Sequence, residues 1–110
     1  MESTIELGGK KRPVSFGFYA FKVFEDETGI SFTKMGESLE NMNVDILTAF
    51  IYSGLCSGAK KSNQAIDFSR DDIYDWLDDF SGSIDSIVKV FTDSMPKSLT
   101  GKNVKAPSRK

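Results

Sequence analysis

The sequence predicts a mainly helical α+β domain: an N-terminal β-hairpin followed by a bundle of about four helices. Three observations carry that prediction. Thr4-Ile5-Glu6-Leu7 alternates polar and apolar residues before Gly8-Gly9. Apolar residues then recur at spacings of three and four through most of the chain to residue 95. Beyond Pro96 the periodicity stops. At 110 residues the chain has room for one core. We therefore read residues 1–95 as one domain and 96–110 as a basic flexible tail, disordered in isolation.

The first element is the hairpin. A Gly-Gly pair between short alternating segments is a two-residue hairpin turn. Pro13 in Lys10-Lys11-Arg12-Pro13-Val14 limits the second strand to an edge or a strand end. The cluster Lys10, Lys11, Arg12 fits a solvated stretch that protects that edge.

Ser15 is placed to cap a helix starting at Phe16, with Phe16, Tyr19, Ala20, Val23 and Phe24 as its apolar stripe. Phe18 and Phe21 widen the stripe. Gly29 suits the residue after the helix end. Glu25, Asp26 and Glu27 fall at the end where the helix dipole disfavours acids, so they hint mildly at another use beside solvation. Ser31 opens a weaker signal through Phe32, Met35 and Leu39, interrupted by Gly36.

Asn41 or Asn43 caps the strongest helix, Val44–Ser57, whose wide apolar face makes it the central element. Gly58 is the expected stop. Ser69-Arg70-Asp71-Asp72 has the form of a capping box with Asp in place of Glu. Ile73, Trp76, Leu77 and Phe80 form the stripe of the helix it opens. Gly82 ends that helix, Ser83 begins the last, striped by Ile84, Ile87, Val88 and Phe91, and Pro96 terminates it.

Composition excludes most site chemistry. There is no histidine and one cysteine, Cys56. No Ser-His-Asp or Cys-His nucleophile can be built, nor a histidine-containing zinc site. No phosphate-binding glycine loop is present. No catalytic, metal or cofactor residue is assigned, and none is expected. Asp71, Asp72, Asp75, Asp78 and Asp79 form the densest ionisable group, but they lack the ligand order of a calcium loop. They read as a solvated or partner-binding acidic face. Cys56 reads as a small buried residue.

The net charge of −2 conceals an asymmetry: residues 1–95 hold nine bases against sixteen acids, whereas residues 96–110 hold five bases and no acid. The acidic body would repel a nucleic-acid backbone, and the tail has no aromatics for base stacking, so no nucleic acid is expected. No apolar run reaches membrane-spanning length and no leader pattern opens the chain, so the expectation is a cytoplasmic protein without a membrane partner.

The segment Arg12-Pro13-Val14-Ser15-Phe16-Gly17-Phe18-Tyr19-Ala20-Phe21, with Phe24-Glu25-Asp26-Glu27-Thr28-Gly29, resembles the tail assembly chaperones of long-tailed bacteriophages and prophages. These open with an Ile-x-Leu-Gly-Gly-Lys-x-x-Pro-Val hairpin. A helix of the form aromatic-x-x-x-Ala-x-x-x-Phe/Leu-Glu-x-x-Thr-Gly follows, carried here by Phe16, Ala20, Phe24, Glu25, Thr28 and Gly29. Ile51-Tyr52-Ser53-Gly54-Leu55 with Gly58-Ala59-Lys60 resembles the family's central helix. Asp67-Phe68-Ser69 through Asp72-Ile73-Tyr74-Asp75-Trp76-Leu77 resembles its acidic third section. The resemblance spans roughly residues 4–95.

The resemblance implies a non-enzymatic assembly factor in the host cell cytoplasm. It would bind and solubilise the tape measure protein and help recruit tail tube protein. The alternatives are a small structural virion protein, such as a tail-completion or connector component, and an acidic host-directed inhibitor. Nine phenylalanines exceed what a small core strictly needs, so some are expected at an interface. The candidate client-binding residues are Phe18, Phe21, Phe32, Tyr52 and Trp76, with Asp75 and Asp79 on the acidic face. Shared apolar helix faces also make a homo-oligomer an expectation.

Overall fold

The computed structural model describes residues 3–80 and 84–94. Within them lie a two-stranded antiparallel hairpin and five α-helices, an α+β architecture that is mainly α. The expected helix start at Ser83, the stop at Pro96 and the basic tail lie outside the described residues, whereas the helix expected to run to Gly82 already ends at Asp79, with Phe80 extended as its C-cap.

Strands β1 (Ser3–Leu7) and β2 (Lys10–Val14) pair from Ser3 opposite Val14 to Leu7 opposite Lys10. That register leaves Gly8-Gly9 as the connection, with φ of 65° and 83°. Two successive positive φ values are what a type I′ turn demands, and glycine adopts them without a Cβ penalty. The inner face of the hairpin buries Leu7, Arg12 and Val14. Arg12 therefore departs from the expected solvated cluster, while Lys10 and Lys11 stay exposed.

Helix α1 spans Phe18–Thr28, two residues later than expected. Ser15 does not cap it. Ser15 and Phe16 are buried against the central helix, where the Ser15 N–H donates to the Gly54 carbonyl at 3.2 Å. The chain is thus tethered before it can turn, and Gly17 takes the N-cap position without a side-chain bond. Gly29, at φ 76°, ends α1 by donating its N–H to the Glu25 carbonyl at 2.8 Å. A 3₁₀ turn (Phe32–Lys34) and the short α2 (Met35–Glu40) follow, and Gly36 is accommodated inside α2.

Helix α3 (Val44–Lys61) is the axis of the molecule. Asn43 caps it, its Oδ1 accepting from the Ile46 N–H at 2.8 Å. Its middle is buried on nearly all sides, from Thr48 to Ala59 apart from Tyr52. Gly58 does not stop it. A Cβ there would run into the Pro13 carbonyl of β2, so Gly58 is where hairpin and helix touch backbone to backbone. Gly54 is equally constrained: a Cβ would lie 2.7 Å from both the Phe16 and Phe91 rings. The actual stop is Asn63, left-handed at φ 59°. Its N–H donates to the Lys60 carbonyl and that of Gln64 to the Ala59 carbonyl, a Schellman closure with Asn in the glycine position.

Helix α4 (Arg70–Asp79) opens with the expected capping box, the Ser69 N–H donating to the Asp72 carboxylate at 2.9 Å. Helix α5 (Ile84–Asp93) returns along β1 and α3 and buries Ile87 and Phe91. Phe16, Phe50 and Phe91 meet at the centre. Phe16 stacks on Phe50 at 4.9 Å, and Phe91 lies 5.8 Å from Phe50.

Gly58→Val should be severely destabilising, by about 3 kcal/mol or more, because the clash is with backbone that cannot rotate away. Urea denaturation followed by circular dichroism measures it. A loss below about 1 kcal/mol would contradict the close approach.

Candidate interaction surface

The sequence candidates separate into two groups in space. The first is an aromatic cluster at the start of α1 and the 3₁₀ turn. Phe21 and Phe32 stack at 5.5 Å with their planes 14° apart, and Phe18 sits edge-on to both, at 5.7 and 6.0 Å. The three differ in burial. Phe21 is a core residue, which corrects its expected place on an interface, and Phe32 is half-buried. Phe18 is 78% exposed, the most open large apolar side chain among the described residues. Spacing alone does not separate them, since Phe18 and Phe21 share a helix face: Phe21 and Phe24 are buried in the body of α1, whereas Phe18 is its first helical residue and stays exposed. Tyr19, expected in the buried stripe, is 37% exposed.

The second group surrounds Trp76, half-buried on α4. Its indole covers Gly8 so closely that a Cβ on Gly8 would collide with it. Arg12 from β2 reaches the same ring, its guanidinium carbon 4.2 Å from the Trp76 centroid and 5.3 Å from that of Phe68. The Arg12 Nε donates to the Leu7 carbonyl at 2.7 Å, and Asp67 stands 3.7 Å from its terminal nitrogen. A buried cation is thus satisfied by one carbonyl, one carboxylate and two aromatic faces. Phe68 continues the row to Tyr52, edge-on at 5.9 Å. Tyr52 and Trp76 are therefore two ends of one packed aromatic row.

Trp76 and Asp79 line an open cleft of about 560 Å³ with Glu6, Leu7, Gly8, Gly9 and Phe80. Asp75 does not line it. It is exposed on α4 with Asp71, Asp78 and Asp79, whereas Asp72 is taken by the capping box. Among the described residues no group of three or more acids or cysteines is arranged to hold a metal ion.

Several important residues gave no sequence signal. Arg70 is the main one. Its side chain donates to Glu27 Oε1 at 3.0 Å, to Asp45 Oδ1 at 2.8 Å and to Thr48 Oγ1 at 2.8 Å, joining α4 to α1 and α3. Burial alone would lower its pKa, but the hydrogen bonds to Asp45 and Glu27 outweigh that and hold it above its usual value. The Nε of Arg70 is buried without a hydrogen-bond partner among the described residues, so the side chain is held through its terminal nitrogens. Glu25 accepts the Phe32 N–H at 2.8 Å. The acids at the disfavoured end of α1 are thus used: Glu25 fixes the aromatic turn and Glu27 anchors Arg70.

Cys56 is buried and free. Burial pushes its thiol up to about 11, and burial with the neighbouring Cys56 pushes the Tyr52 hydroxyl up to about 12. Both stay protonated near neutrality, so Cys56 is a poor nucleophile.

No family model matches the chain, and neither a curated protein nor a solved structure does. No helix among the described residues is long and apolar enough to cross a membrane.

The raised pKa values set the sign of an alkaline effect. The unfolded chain releases these protons first, near the usual 9.0 for cysteine and 10.0 for tyrosine. Stability from this pair is therefore complete below about pH 9 and is lost as pH rises towards the folded values near 11 and 12. Urea midpoints measured across that interval should fall, and Cys56→Ala should flatten the slope. An equal slope in the variant would sink the assignment.

Proposed function

We propose that this protein is a non-catalytic binding module acting as a tail assembly chaperone. It would hold an amphipathic segment of the tape measure protein in solution and pass the complex to tail tube protein. The observation that carries the reading is Phe18, 78% exposed above the stacked Phe21–Phe32 pair. A large apolar ring held in water by a rigid support serves contact better than folding. The resemblance of residues 4–95 to the family's hairpin and helix pattern supplies the identity of the client. The absence of histidine supports a role without acid–base or nucleophilic chemistry.

The open carboxylates of α4 add a second feature. Asp75 and Asp79 lie on the exposed side of a helix whose first turn is also acidic. They suit basic residues flanking an apolar client stripe. The same exposed surfaces suit association between copies in the host cell cytoplasm.

Co-expression with the tape measure protein tests the proposal: the client should become soluble and co-purify. Phe18→Ser should cost about 2 kcal/mol of client affinity in calorimetry, as loss of an interface anchor does, with the melting temperature held. Asp75→Lys with Asp79→Lys should weaken binding further in low salt than in high salt. A client equally insoluble with and without this protein would overturn the reading. Recovery of the protein in finished particles would favour a structural virion component instead.

A further inference from the structure

Beside Phe18, the N-terminus of α1 and the C-terminal turn of α3 border an open cleft of about 210 Å³. Its wall contains Ser15, Ser57, Lys60, Lys61 and the start of α1 from Gly17 to Tyr19. We propose that this cleft is a carboxylate-binding site for an acidic side chain of a protein partner, with an adjoining apolar residue seated on Phe18. The inference rests on the reading of this face as a protein-binding surface and names the chemistry of what it takes.

Four features converge on a negative charge. Helix α1 has eleven residues, no side-chain N-cap and no acidic residue in its first turn. The amides of Phe18 and Tyr19 precede the first intrahelical donor, the Phe21 N–H bonded to Gly17 at 3.1 Å, so the helix leaves them unclaimed, and both residues line the cleft. The Ser15 and Ser57 side chains are 4% and 5% exposed, neither hydroxyl has a hydrogen-bond partner among the described residues, and neither is sealed in the core: what little of each residue is open lies in the cleft wall. Ser57 stands apart from its neighbours here. Thr48 and Ser53 are also buried hydroxyls of α3, and each donates to a carbonyl of its own helix; Ser94, just past α5, donates back to the Val90 carbonyl. Ser57 lines the cleft instead. Lys60 and Lys61 are exposed and form no ion pair among the described residues, although Lys60 Nζ lies 5.3 Å from the Tyr19 ring centroid.

The alternative anion is a nucleic-acid phosphate. The body works against it, since residues 1–95 carry sixteen acids against nine bases and would repel a polyanion. A single carboxylate meets only the local field of two lysines and a helix end. The wall formed by Phe18 and Tyr19 also has no use for a free inorganic ion, but it accommodates an apolar neighbour in a peptide.

The test is an NMR titration of the full chain, reading amide shifts, with acetyl-Leu-Glu-Leu-Leu-amide as probe. The glutamine counterpart, inorganic phosphate and a short single-stranded oligonucleotide are the comparison ligands. The glutamate peptide should produce saturable shifts confined to Gly17–Tyr19 and Ser57–Lys61. Lys60→Gln with Lys61→Gln should weaken it about tenfold. Ser57→Ala should weaken it several-fold while leaving the melting temperature unchanged, because that hydroxyl supports nothing in the fold. Equal binding of the glutamine peptide, preference for phosphate or oligonucleotide, shifts elsewhere, or displacement of the probe by a second copy at higher protein concentration would each overturn the proposal. The two readings fail separately. If client capture needs Phe18 but ignores the lysine variant, the cleft assignment falls and the chaperone reading stands. If the peptide binds the cleft but the tape measure protein is not solubilised, the reverse holds.

Discussion

The structure depends on how closely other elements approach one side of α3. At Gly58 the hairpin lies against the helix with no side chain between, Pro13 carbonyl against helix backbone. One turn earlier, at Gly54, Phe16 and Phe91 fill the space a Cβ would take. Glycine inside a helix costs about 1 kcal/mol relative to alanine through backbone entropy. Two of them in one helix are tolerable only if the contacts they permit return more. They do: Phe16, Phe50 and Phe91 are nearly or fully buried and touch one another, and each such side chain is worth about 1.5–3 kcal/mol of burial. The same approach fixes the hairpin, since a two-stranded sheet is marginal without a surface to lie on. It also sets the start of α1, because Ser15 is bonded to Gly54 before the helix begins.

With the hairpin fixed, α4 is positioned by an apolar stripe and by two arginines. It contributes one fully buried apolar residue, Ile73, with Trp76 and Leu77 partly buried against the core. Arg70 secures its N-terminal end to Glu27 and Asp45, and Arg12 meets Trp76 near its other end. The two arginines act differently. Arg70 is a hub of charge-assisted hydrogen bonds, sensitive to geometry and moderately to salt. Arg12 is flat against aromatic faces, where a guanidinium is weakly hydrated and loses little on burial. A helix held by polar clamps keeps its outward face free, and on α4 that face carries Asp71, Asp75, Asp78 and Asp79.

What could be read from the sequence was local. The Gly8-Gly9 turn, the Gly29 helix end, the Asn43 cap and the Ser69–Asp72 box each lie within a few residues of their partners, and chemistry at that range leaves a pattern. Gly58 was misread for the same reason. A glycine after an apolar run looks like a stop, and only the arrival of Pro13, forty-five positions earlier, makes it a contact. Arg12 looked like one of three solvated bases because Phe68 and Trp76 are remote in sequence. Glu27 and Arg70 are forty-three residues apart, and neither has a local feature that names the other. Among the candidates, Phe18 and Phe21 could not be told apart by stripe position alone. The tethering of Ser15 delays α1 by two residues and leaves Phe18 at the helix's first position.

That delay has a consequence for the exposed surface. Had α1 begun at Phe16, the first turn would be made by core residues and its amides would be covered. Starting at Phe18 instead leaves the uncapped amides, Ser15 in the cleft wall and an open phenylalanine at one place, beside the basic last turn of α3. An exposed Phe18 forgoes about 1.5–3 kcal/mol that burial would supply, and a free helix end forgoes about 1 kcal/mol that a cap would supply. Both costs come from one backbone decision, the bond from Ser15 to Gly54, and that bond belongs to the close packing that holds the fold. The exposed phenylalanine is therefore built into the fold's most constrained region, supported by the Phe21–Phe32 stack and the Glu25 bond to Phe32. Under the proposed binding role, a surface supported in this way would lose little entropy on meeting a partner, because its exposed apolar group is already held in place by the fold.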